Sequence, residues 1–190
     1  MTISDILASA AGQSAAFRRA LSITLFNECE FTHDGVTIRN ENVAGDAGGL
    51  TFAGIDHASH PDFPFANPLP FHVWQTYLDA YWRPLRCSEL PVPVALVLFV
   101  QGVNQGVEAV ARMLQEALND YGSRLNVDGC VGQNTLMASW KVPDSDGLAM
   151  AFLAKSRRRY LERVAERPDQ EKFLHGWLAR IDHLKSELTT

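Results

Sequence analysis

The chain has 190 residues, of which 46% are hydrophobic and 21% charged, and its formal net charge is −5. That length suits one ordinary domain or two small ones, and the composition is globular rather than disordered. The charge argues against a nucleic-acid partner, no apolar run is long enough for a membrane span, and the N-terminus lacks the basic and apolar segments of a signal peptide.

Residues 1–12 are small and polar and read as a loose lead-in. From 14 to 29 the spacing predicts a helix, because Phe17, Ala20, Leu21, Thr24 and Leu25 recur at intervals of three and four. Glu28 continues that stripe, whereas Glu30 points about 200° away around a 3.6-residue helix. A carboxyl at the end of a core-facing stripe is partly desolvated. Desolvation raises a carboxyl pKa, which is what a general acid needs near neutral pH. The same position also reads as a solvated or salt-bridged helix end.

The polar loop that follows brings Asp46, Gly48, Gly49, Thr51 and Gly54 close together in sequence. It has no G-x-G-x-x-G and no lysine after its glycines, so it is not a phosphate loop. Adjacent glycines suit a hairpin turn or a cleft wall. Residues 36–38 and 50–55 are expected to supply two short strands. Taken singly, Asp46 is a turn former and Thr51 a strand residue. With Glu28 they make a helix followed by a hairpin bearing a carboxylate and a hydroxyl. Asp56, His57 and His60 lack a third convincing ligand, so no metal is expected. Cys29, Cys87 and Cys130 have no metal-site spacing and read as reduced thiols.

Residues 61–70, rich in proline and aromatics, form a connector. A helix over 70–84 places Trp74, Tyr77, Leu78 and Tyr81 on one side. Trp74 and Leu78 read as core, while Tyr81 or Trp82 reads either as core or as a flat ring lining a sugar cleft. Pro91 and Pro93 open a nearly all-apolar helix that Gly102 and Gly106 interrupt. Asn104, between them, is a helix-end residue or a sugar-binding amide. An amphipathic helix over 107–118, a turn-rich link over 128–134 and a short helix over 135–140 follow. Ser145 is the expected N-cap of a helix to about Glu166. On it Arg157, Arg158 and Arg159 make a solvated basic face paired with Glu162 and Glu166. Pro168 and Asp169 restart a last helix with Phe173, Trp177, Leu178 and Ile181 on its apolar stripe.

Five stretches, in order, carry a family resemblance. Glu28-Cys29-Glu30-Phe31 followed by Asp46-Ala47-Gly48-Gly49-Leu50-Thr51-Phe52-Ala53-Gly54-Ile55 is similar to E-G-G-Y, a short loop, then D-P-G-G-x-T-x-x-G-I. Here Cys29 and Glu30 replace two glycines, and the intervening loop is longer. Tyr81-Trp82-Arg83-Pro84-Leu85 resembles Y-W-x-P-[IL]. Leu98-Phe99 with Val103-Asn104-Gln105-Gly106 resembles L-F-x-x-x-V-N-x-G. The stretch over 127–136 resembles V-D-G-x-[IV]-G-x-x-T-L, and that over 173–180 resembles F-x-x-G-W-L-x-R. This set resembles glycoside hydrolase family 108, peptidoglycan-cleaving N-acetylmuramidases of phage and bacterial origin, joined to a peptidoglycan-binding-like helical segment.

The resemblance implies a mainly α fold, a lysozyme-like helical domain with a small β-hairpin next to the active site. Residues 1–90 would form the catalytic region and 91–190 the peptidoglycan-binding-like region packed on it. Glu28 would protonate the leaving glycosidic oxygen. Asp46 would act as base or electrostatic stabiliser and Thr51 would hold the water. Gly48, Gly49, Tyr81 and Asn104 would contact substrate. No cofactor is implied. The partner would be peptidoglycan, reached from the cytoplasm through a holin, a secretion machine or lysis, with an immunity protein if the chain is an exported toxin. The competing expectations are a non-catalytic peptidoglycan-binding or scaffold protein and a lytic transglycosylase.

Overall fold

The computed structural model describes residues 1–29, 32, 37–38, 40–42 and 50–189, with only the backbone at 40–42. Asp46, Gly48 and Gly49 therefore lie outside the described residues, as does Val36 of the first expected strand. The chain divides into two compact units, Met1–Arg83 and Pro84–Thr190.

The first unit begins with α1 (Ile3–Ser9), not with a loose lead-in. Its signal is a capping box: Thr2 accepts from Asp5 N at 3.1 Å and Asp5 accepts from Thr2 N at 2.7 Å. Ile6 is fully buried and fixes the helix to the core. Helix α2 (Ala15–Glu28) follows, capped by Ser14, whose hydroxyl accepts from Phe17 N at 3.2 Å. Its buried face is the predicted one, Phe17, Ala20, Leu21, Thr24 and Leu25, with Ile23 added. Three short antiparallel strands come next in the order β1 (Asn40–Asn42), β2 (Leu50–Phe52) and β3 (Ile55–Asp56). The single strand expected over 50–55 is thus a tight hairpin, with Phe52 paired to Ile55 and Thr51 to Asp56. Thr37 bridges Thr2 outside this sheet.

Helix α3 (Pro70–Tyr77) runs into a π-helical turn, Leu78–Trp82. The regular helix therefore ends earlier than the expected 84. Trp82 is buried edge-on against Phe17, with centroids 5.2 Å apart. It belongs to the core, which rules out a sugar-facing role for it. Full burial of each such apolar side chain is worth roughly 1.5–3 kcal/mol.

In the second unit, α4 (Val92–Gln105) is central, with every residue from Val94 to Gly102 buried. Gly102 does not interrupt the helix. A Cβ there would lie 2.8 Å from Leu85 Cδ1, so the glycine allows close packing. Gly106, at φ 87°, ends the helix. The helices α5 (Val107–Asp120), α6 (Gln133–Lys141), α7 (Ser145–Glu166) and α8 (Glu171–Leu188) complete the unit. Asp144, not Ser145, caps α7, accepting from Gly147 N at 2.8 Å. A buried polar knot joins α4 to α7: Gln101 accepts from Ser156 Oγ at 2.7 Å and Gln105 Nε2 at 2.8 Å. Arg158 pairs with Glu162 as expected, while Arg157 reaches Asp182 of α8.

Cys29, Cys87 and Cys130 are thiols outside any disulfide; Cys29 and Cys87 are buried and Cys130 is exposed. Burial pushes the Cys87 thiol up and keeps it protonated. A thiol reagent added to native protein should therefore modify Cys130 first, with Cys29 and Cys87 reacting only after denaturant. Intact-mass counting of adducts checks this; early labelling of Cys87 would contradict the packing.

Candidate active site

Glu28 is the last residue of α2. Cys29 then turns the chain into extended backbone, φ −83° and ψ 132°, while its N–H still bonds Leu25 O at 2.9 Å. The helix thus stops as soon as it has delivered the carboxylate. Glu28 is half-buried and Cys29 beside it is buried.

The wall beside Glu28 is the β2–β3 turn. Its two loop residues, Ala53 and Gly54, have φ 53° and 76°, as a two-residue hairpin of the primed type requires. Gly54 presses its backbone against the glutamate stem: a Cβ there would lie 2.6 Å from Glu28 Cβ and 2.7 Å from Tyr77 Oη. Ala53 holds a left-handed conformation that an alanine rarely adopts. It is fixed there by burial and by its carbonyl, which accepts from the Tyr77 hydroxyl at 2.8 Å. The end of α2, the hairpin turn and the end of α3 therefore meet at one place.

Electrostatics report the same convergence. Burial pushes the Tyr77 phenol well above its usual range, and the nearby Glu28 charge adds to this. Tyr81, one turn further on, is also raised, first by burial, then by Asp56 and then by Glu28. Both phenols stay protonated, and Tyr77 donates to Ala53 O. Their rings lie 6.0 Å apart. Two carboxylates, Glu28 and Asp56, thus act on one half-buried phenol. Thr51 and Asp56 are directly opposed across the hairpin and share one face, whereas Phe52 and Ile55 are buried on the other. Asp56 also accepts from Ser59 N at 2.8 Å, which orders the following loop. That loop brings His60 to 6.1 Å from the Tyr81 ring. His60 lines a cavity of about 610 Å³ with Phe63, His72, Thr76 and Asp79.

The first unit thus brings Glu28 and Tyr81 together and puts Thr51 on the adjoining hairpin. Asn104 belongs to the second unit. Its Nδ2 donates to Val100 O at 3.0 Å and its Oδ1 accepts from Arg180 Nη1 at 2.5 Å, so the amide braces α4 and α8. Sequence reasoning did not assign roles to Asp56 and Tyr77. The signal for Asp56 was a two-residue turn at Ala53 and Gly54, which forces Thr51 to face it. The signal for Tyr77 was its spacing of four from Tyr81. Among the described residues no cluster of histidine, cysteine and carboxylate groups could hold a metal.

Residues 32–106 match the family model described as "Glycosyl hydrolase 108", and residues 109–182 match "Predicted Peptidoglycan domain". No curated protein matches the chain significantly. Among solved structures, "Structure of Brucella abortus SagA" is similar over 91% of this chain and 93% of that chain, with a TM-score of 0.70 and 19% identity. At that identity the likeness establishes the shared fold. The fold class is the expected one, mainly α and lysozyme-like, with a small hairpin beside Glu28.

Proposed function

In a chain that joins a glycosyl hydrolase 108 region to a predicted peptidoglycan domain, and is thereby a peptidoglycan-related hydrolase, we propose cleavage of the β-1,4 bond between N-acetylmuramic acid and N-acetylglucosamine, with Glu28 as the general acid. The observation that carries this reading is the half-buried Glu28 carboxyl, clamped by Gly54 and flanked by Tyr77 and Tyr81. Glu28 gives its proton to the leaving glycosidic oxygen as the C–O bond breaks. The positive charge that develops on the sugar is met by a second carboxylate, and water completes the cleavage. The cavity beside Tyr81 and His60 is room for a neighbouring sugar.

Asp46 takes the second role by the family pattern, with Thr51 holding the water and Gly48 and Gly49 shaping the cleft. A second reading assigns that role to Asp56, because it shares the Tyr81 phenol with Glu28 and the hairpin face with Thr51. Asp46→Asn and Asp56→Asn separate the two: the true partner loses turnover with little change in KM.

The test is digestion of purified sacculi followed by borohydride reduction. N-acetylmuramitol is the expected new end. N-acetylglucosaminitol would assign the other glycosidic bond; with no new reducing end, anhydro-muramic ends would identify a lytic transglycosylase and intact strands a binding or scaffold protein. The site of action proposed is the periplasm or cell wall.

A further inference from the structure

The second unit displays an aromatic ring for which its own core has no use. Trp140, in the last turn of α6, is 65% exposed, yet its indole N–H donates to Glu89 O at 2.8 Å. The ring edge is tied down and the face is left open. Met137, three residues earlier on the same side, is 47% exposed. With Gln133 and Lys141 they line a shallow cavity of about 380 Å³.

The same strip of α6 borders a second cavity. Gln133, Met137 and Lys141 also line a polar hollow of about 440 Å³, opposite Arg124. Arg124 and Lys141 are exposed, and neither has a carboxylate partner among the described residues. The nearby acid, Asp128, is already committed: it accepts from Gln115 Nε2 at 2.7 Å and Cys130 N at 2.9 Å. These bonds, the one from Gln115 foremost, hold its carboxyl below the usual range. The hollow therefore offers two unspent cations beside an oriented flat ring.

We propose that this face of α6 binds peptidoglycan, with Trp140 as the platform for a sugar ring and Arg124 and Lys141 receiving stem-peptide carboxylates. It rests on the peptidoglycan reading above and adds where the wall is held. The chemistry fits on both counts. A pyranose presents C–H groups to an indole face, and an aromatic anchor loses little conformational entropy on binding. Stem peptides carry free carboxylates. A chain of net charge −5 has no general attraction for them, so the cations have to be local.

The experiment is co-sedimentation of full-length Glu28→Gln protein with purified Gram-negative sacculi, which lack teichoic acid and so remove phosphate as a rival ligand. Trp140→Ala should weaken binding by about tenfold, as truncation of a tryptophan anchor does. Arg124→Glu with Lys141→Glu, both exposed and clear of the core, should weaken it several-fold, more so at low salt. Amidase-stripped glycan strands, which keep the lactyl carboxylate of muramic acid but no stem-peptide carboxylates, should keep the Trp140 dependence and show a smaller charge dependence. Trp140→Ala with unchanged binding overturns the platform. Charge reversal with unchanged binding to intact sacculi overturns the carboxylate contact. Binding without any release of reducing ends by the parent protein would sink the hydrolase reading alone.

Discussion

Glu28→Gln should lower turnover on purified peptidoglycan by about 10²–10⁴-fold, the usual contribution of a positioned general acid. Gln keeps the size of the side chain and its stem, which Gly54 packs against. It removes the transferable proton and the charge felt by Tyr77 and Tyr81, while the packing of the stem stays. Sacculus binding and the melting temperature should therefore stay close to the parent's. The half-buried position matters here, because a carboxyl in open water is ionised at neutral pH and has no proton to give, whereas desolvation favours the protonated form. Reducing-end release, measured beside a calorimetric scan, reads both quantities at once. Full turnover in Glu28→Gln would leave the site without its acid.

Gly54→Ala is the structural counterpart. The added methyl would sit 2.6 Å from Glu28 Cβ and 2.7 Å from Tyr77 Oη, closer than real Cβ atoms come. Neither neighbour can easily move: one is the root of the proposed acid, and the other is hydrogen-bonded to Ala53 in a fully buried position. Overpacking of this kind costs roughly 1–3 kcal/mol. The left-handed φ of 76° adds about 1–2 kcal/mol for any L side chain. Gly122→Ala is the control, since Gly122 has φ 89° but open space around its Cβ position. It carries the backbone cost alone. Gly54→Ala should thus melt well below Gly122→Ala and, unlike it, lose activity beyond its loss of folded protein, because Glu28 is displaced. Equal melting temperatures for the two variants would show that the hairpin does not bear on Glu28 as described.

How much of this was legible in the sequence depends on the length of the repeating signal. Helix α2 and its buried face were readable because Phe17, Ala20, Leu21, Thr24 and Leu25 recur at helical spacing within a 14-residue helix. The nearly all-apolar α4 was readable for the same reason. Helix α1 was not, since in seven residues it buries one side chain, Ile6, and depends on a two-residue capping exchange. The β2–β3 hairpin was hidden because strands of three and two residues are too short to alternate visibly. Its turn is Ala-Gly rather than the Asn-Gly or Asp-Gly that usually announces such a loop. Misreading that turn concealed Asp56, whose place opposite Thr51 follows from the register alone. Asp46, Gly48 and Gly49 lie outside the described residues, and the roles expected of them rest on the family resemblance. Trp82 was ambiguous because an aromatic beside a proposed cleft and one in a core look alike in sequence; its contact with Phe17 decides for the core.

The most direct measurement is digestion of purified peptidoglycan in water labelled with heavy oxygen, with the fragments read by mass spectrometry for the parent and for Glu28→Gln. A hydrolase acting through Glu28 predicts N-acetylmuramic acid reducing ends carrying one labelled oxygen from the parent and almost none from the variant. Unlabelled anhydro ends, or labelled ends formed equally by both proteins, would contradict it.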